Sequence, residues 1–203
     1  MSPLFSTAYF PSVAYMATLM HYSEVLIEVK ETYPKQTYRN RMEIMSANGV
    51  KPLTVPVLRN NHSRTEQVGI DYKEHWNIVH LRTITAAYGT SPYFEYYKDE
   101  IKDILTRHYE RITDLNQTTL QWLMQQLKIN CAIQLTSDWE RPTGRQDDYR
   151  ERFSPKHPYP TDCFKPYYQV FNDRQPFVPN LSTLDLLMNM GPEARDYLTS
   201  LNL

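Results

Sequence analysis

The sequence predicts an α/β protein on three observations. Strand, helix and strand patterns follow one another within the first 29 residues, an Asn-Gly dipeptide then joins two extended arms, and three helical stripes come after it. Residues 4–10 form a short apolar run, Pro11 opens a helix with Val13, Ala17 and Met20 at helical spacing, and residues 24–29 return to an extended run. So compact a crossover implies two parallel strands with a helix between them. Residues 42–46 and 51–58 flank Asn48-Gly49 as a β-hairpin. Pro52 and Pro56 stand four apart, so both lack an N–H on the same side of the second arm, which makes it an edge strand.

The central section is helical. Trp76, Val79, His80, Thr83 and Ala87 mark one stripe that ends near Gly89; Pro92 starts a second with Tyr93, Tyr97, Ile101, Ile104, Leu105 and His108; Leu120, Leu123, Met124 and Leu127 mark a third. Residues 131–135 read as a core strand. Residues 142–179 hold 7 of the chain's 14 prolines and little periodicity, yet Tyr149, Phe153, Tyr159, Phe164, Tyr167, Tyr168, Phe171 and Phe177 are too aromatic for free disorder. An ordered wrap over the core is expected, followed by two C-terminal helices. The whole of residues 1–203 suits one domain.

Composition bounds function. Of the 41% hydrophobic residues, 16 are tyrosines, so Tyr carries much of the apolar burden, and Pro outnumbers Gly 14 to 5, so loops should be stiff. With 22 basic and 23 acidic side chains the net charge is −1, which excludes a global field for nucleic acid or anionic lipid. Cys131 and Cys163 make neither a disulfide framework nor a metal set, and no dinucleotide fingerprint is present, so no cofactor or metal is expected. The first 23 residues lack Asp, Glu, Lys and Arg, but two prolines and no basic flank argue against a signal or a membrane span. A cytoplasmic setting fits these features.

Residues 30–41 carry four cations against one anion and follow the second strand, where a parallel sheet opens its ligand crevice. Lys35, Arg39 and Arg41 would hold an anionic ligand, since Arg forks suit carboxylate or phosphate. The other reading is a solvated basic loop. Tyr9, at the first strand-to-helix turn, and Tyr38 can stack on sugar or base faces, and the helix after Tyr9 presents an N-terminus from which a phosphate can be faced. His80 and Asp185 are candidate bases, each with a structural alternative: His80 as a hydrogen-bonded core residue, Asp185 as the acidic partner of a Ser182 helix cap. Cys163 beside His157 could be a nucleophile. Asp147, Asp148 and Glu151, interleaved with Arg145, Arg150 and Arg152, could hold a metal or an amine, but read better as self-paired surface charges.

Tyr9-Phe10-Pro11, Lys35-x-Thr37-Tyr38-Arg39-Asn40-Arg41, Leu53-Thr54-Val55-Pro56, Trp76-x-x-x-His80, Tyr88-x-x-Ser91-Pro92-Tyr93-Phe94 and the run from Pro179 to Pro192 occur in the order that marks the WbqC-like family. The chain resembles that family over almost its whole length. Many members carry Asp at the end of the second strand, where Glu28-Val29-Lys30 stand here. The resemblance implies a role in O-antigen or other surface-polysaccharide biosynthesis, with transfer of a glycyl group onto an amino sugar; on that reading Lys35, Arg39 and Arg41 would clamp an anionic small molecule such as a nucleotide sugar or an activated amino acid, and Asn40 would bond a sugar hydroxyl or amide. The alternative is a non-catalytic module binding a glycan precursor or a protein of an envelope assembly system. No reading of the residues fixes an oligomeric state.

Overall fold

The computed structural model describes residues 2–139, 141, 147–156 and 159–203. Arg145 and His157 lie outside the described residues. The chain is mixed α/β as the sequence predicts. Strand β1 (Leu4–Ser6), helix α1 (Val13–Leu19) and strand β2 (Glu24–Glu28) form the opening unit, and β1 pairs β2 in parallel with Leu4 opposite Leu26. Strand β7 (Ala132–Leu135) lies parallel on the other side of β2, giving the order β1-β2-β7. The outer edge of β1 is taken by the wrap: Leu4 N–H donates to Asp147 O at 2.9 Å, and Tyr149 N–H donates to Leu4 O at 2.7 Å. α1 is buried all round, as suits a helix in the middle of a core.

The hairpin is strand β3 (Arg41–Ser46) against strand β4 (Gly49–Thr54), antiparallel, with Ser46 opposite Gly49. The two-residue turn is therefore Ala47-Asn48, and Gly49 begins the second arm at φ +99°. That arm ends sooner than expected, at Thr54. Beyond Val55-Pro56, strand β5 (Val57–Leu58) pairs a strand the sequence did not announce, β6 (Gly69–Ile70). Helices α2 (Trp76–Tyr88), α3 (Phe94–Thr106) and α4 (Ile112–Gln126) follow. The buried stripe of α2 is Trp76, His80, Ile84, Ala87 and Tyr88, whereas Val79 faces out at 53% exposure. Helix α5 (Thr183–Met190), a 3-10 turn at Gly191–Glu193 and helix α6 (Ala194–Thr199) close the chain, with Gly191-Pro192 as the break between the two helices.

One expectation is overturned. β7 is not a core strand: Ala132, Gln134 and Leu135 are exposed, because among the described residues it pairs only with β2 and forms the sheet's rim. A short apolar run is compatible with either place. The wrap is ordered where it is described. Phe5 of β1 stacks on Tyr149 (centroids 4.8 Å apart) and on Phe153 (5.9 Å), and Phe153 stacks in turn on Tyr159 (6.0 Å). Rings taken from the proline-rich stretch thus complete the core beside the sheet. Among the described residues, no helix is long and apolar enough to cross a membrane.

Candidate functional site

β1, β2 and β7 run the same way, so their C-terminal ends open on one side of the sheet, where α/β proteins seat their ligands. A charged network fills that end. Glu28, the last residue of β2, is fully buried; its Oε1 accepts from Lys30 N–H at 2.7 Å and from the Thr136 hydroxyl at 2.9 Å, and its Oε2 faces Arg150 Nη1 at 3.2 Å. Arg150, itself buried, also grips Asp148 through Nε (2.9 Å) and Nη2 (2.6 Å). Hydrogen bonding to Asp148 raises its already high pKa.

Next along the chain, Glu31 Oε1 accepts from Arg39 Nε at 2.7 Å. Burial pushes the Glu31 carboxyl up, and the adjacent guanidinium only partly offsets this. Its second oxygen makes no hydrogen bond to a described residue. Arg39 is 2% exposed, and its Nη2 finds no partner among the described residues; nor does the Tyr33 hydroxyl. Asn116 of α4 ties the floor together, donating to Thr7 Oγ1 (3.0 Å) and to Arg39 O (2.8 Å). Two interior Glu–Arg pairs at the ligand end of a sheet are costly to desolvate, and a carboxyl raised by burial, as that of Glu31 is, belongs to a class that concentrates at functional sites.

The residues singled out from sequence do not all meet there. Arg39 turns inward to Glu31, so of the three proposed clamp cations only Lys35, exposed, and Arg41, half-buried, reach the surface. Arg41 Nε donates to Thr54 Oγ1 at 3.2 Å. Asn40 is bonded both ways to Val55, through its side chain and its carbonyl, each at 2.8 Å. Tyr38 donates its hydroxyl to Glu43 at 3.1 Å, and burial with that carboxylate raises its pKa. Tyr9 is sealed in the core, its hydroxyl 3.0 Å from His80 Nδ1. His80 is 3% exposed and packs edge-on to Trp76; burial pushes its pKa down to about 4 against a hydrogen bond with the Thr54 backbone. It is the neutral core histidine of the structural alternative.

Asp185 is fully buried at a separate place, accepting from Tyr88 (2.8 Å), Tyr167 (2.6 Å) and Gln169 (3.0 Å). Burial raises its carboxyl although all three donors favour the charged form. Ser182 is the cap of α5, accepting from Leu184 N–H at 3.3 Å, but Asp185 ties α5 to α2 and the wrap instead of completing the cap. The first amides of α1 are satisfied by Leu181 O (3.0 Å) and Asn180 Oδ1 (2.8 Å), so that helix end faces chain and not phosphate. Phe10, just before α1, holds φ +42° while buried at 1%. Ser182 Oγ, donating to Phe10 O at 2.9 Å, pins this strained turn.

Glu28, Glu31 and Thr136 are the residues of this network that sequence reasoning passed over, and Asp148 and Arg150 are ones it placed at the surface. The signal for Glu28 was a carboxylate closing an otherwise apolar strand; Arg150 was hidden by acidic neighbours in sequence, which made it look self-paired at the surface. It does pair with Asp148, but at 5% exposure and with a second bridge to Glu28. Arg152 lies over the Tyr149 and Tyr159 rings at 5.4 and 5.8 Å. Cys163 is half-buried.

Comparison with known proteins gives a consistent picture. The family model described as "WbqC-like protein family" matches residues 7–154. An "Uncharacterized protein Rv1507c" of Mycobacterium tuberculosis is 24% identical over 94% of each chain. No solved structure matches.

Proposed function

The chain belongs to the WbqC-like protein family, and we propose that it is an acyltransferase of bacterial surface-polysaccharide biosynthesis that moves an aminoacyl group such as glycyl onto an amino sugar. The reaction class rests on the resemblance set out from the sequence motifs. The observation that carries the assignment to this site is Glu31, a carboxyl raised by burial, at the C-terminal end of a parallel sheet, with one oxygen free of described partners. Amide formation on a sugar needs a base with that character. The amine nitrogen attacks the activated carbonyl, the N–C bond forms as the bond to the leaving group breaks, and the amine proton passes to Glu31. Arg39 orients the carboxylate through its Nε. His80 and Asp185, sealed behind their partners, keep structural roles.

The full chain incubated with glycyl-adenylate and a UDP-linked amino sugar should yield a product one glycyl residue heavier by mass spectrometry. Glu31→Gln, which preserves the bond to Arg39, should lower the rate at least a hundredfold, as general bases contribute roughly 10²–10⁴-fold. Transfer by Glu31→Gln at the wild-type rate would sink the assignment. A non-catalytic precursor-binding module is the second reading, favoured by the burial of both His80 and Asp185. Binding of the sugar nucleotide with no transfer from any activated glycyl donor would select it.

A further inference from the structure

Between the tip of the β3–β4 hairpin and the outer face of α2 lies a cavity of about 510 Å³, a volume that suits a ligand of nucleotide size. None of its lining residues belongs to the charged network at the end of the sheet. Val50, Pro52, Ala86 and Ala87 give it an apolar wall, and Val50 is 44% exposed. Lys51 enters from the hairpin and Arg82 from α2; both are exposed, neither is ion-paired to a described residue, and no carboxylate lines the space. The hairpin side of the cavity is held in place: Gln175 of the wrap donates its Nε2 to Ser46 O at 3.2 Å and to Ala47 O at 2.7 Å, fixing the turn.

The space is far larger than an inorganic anion requires, and it sets two uncommitted cations beside an apolar wall. A ligand that is doubly charged at one end and flat and weakly polar at the other matches both features. We propose that this cavity binds a nucleoside diphosphate, its phosphates held by the Arg82 fork and the Lys51 ammonium, its ring system against Val50, Pro52 and the two alanines. The site stands on its own cavity and charges, so its failure would leave the acyl-transfer assignment untouched.

Calorimetry on the full chain tests it with UDP and ADP in separate titrations, and with uridine, adenosine and inorganic pyrophosphate as comparisons. At least one diphosphate should bind, with its parent nucleoside and pyrophosphate each at least tenfold weaker. Arg82→Gln and Lys51→Gln should each weaken it tenfold or more, within the range for charge-assisted bonds; Lys102→Gln, exposed on α3, should not. Both cavity cations are exposed, so circular dichroism should report an intact fold in each variant. The proposal is overturned if neither diphosphate binds, if nucleoside or pyrophosphate binds as tightly as the diphosphate, or if affinity survives both substitutions.

Discussion

At the scale of the residue, burial sets the behaviour of the titratable groups. The unfolded chain takes up a proton at His80 near the ordinary value of 6.5, the folded chain only near 4. The folded state therefore binds fewer protons between these values, and stability rises with pH across the window and is lost as pH falls through it. The span corresponds to about 3 kcal/mol. Urea unfolding at pH 4.5 and pH 7 should show most of that difference in the wild type and little of it in His80→Gln; equal differences in the two proteins would refute this account. Asp185→Ala strands two tyrosine hydroxyls and an amide, so a loss of about 3 kcal/mol or more is expected, seen as a lower urea midpoint at constant slope. That His80 lies on the packed stripe of α2 and Asp185 in the first turn of α5 was legible from the helical spacing. Their partners were not, because Tyr9 and Tyr167 reach them through the fold.

Elements built from local signals were read well. The parallel β1–α1–β2 unit and the hairpin follow from patterns within a few residues, and Pro52 sits in β4 opposite Glu43, on a strand that pairs only β3 among the described residues. β6 and the rim position of β7 were invisible, since a two-residue strand has no periodicity and a short apolar run does not reveal how many neighbours it has. Gly191 shows how an element boundary is fixed by packing. It holds φ +54° after α5, and a Cβ there would overlap the Tyr93 ring. Gly191→Ala should cost about 3 kcal/mol from strain and overpacking together, lowering Tm by roughly 6–12 °C for a chain of this size. In a Tyr93→Ala background the same substitution should cost only the backbone strain, about 1 kcal/mol; an undiminished cost in that double-mutant cycle would refute the steric account.

At the scale of the whole molecule, long-range charge pairing joins the wrap to the sheet. Glu28 and Arg150 are 122 positions apart, and nothing local announces their meeting. Glu28→Ala leaves a buried guanidinium short of a counter-charge and should destabilise by about 3–5 kcal/mol, with faster amide exchange at residues 147–156 as its local signature; wild-type exchange there would show the pair to be dispensable. The same topology constrains how the protein is made. β1 leaves the ribosome with β2 as the next strand it can pair with, while the strand that flanks β2 begins at Ala132 and the backbone that covers the outer edge of β1 arrives at Asp147. The pairings that cover both edges of the β1–β2 unit therefore join residues far apart in sequence and cannot form until most of the chain has been synthesised, a high contact order of the kind that slows folding.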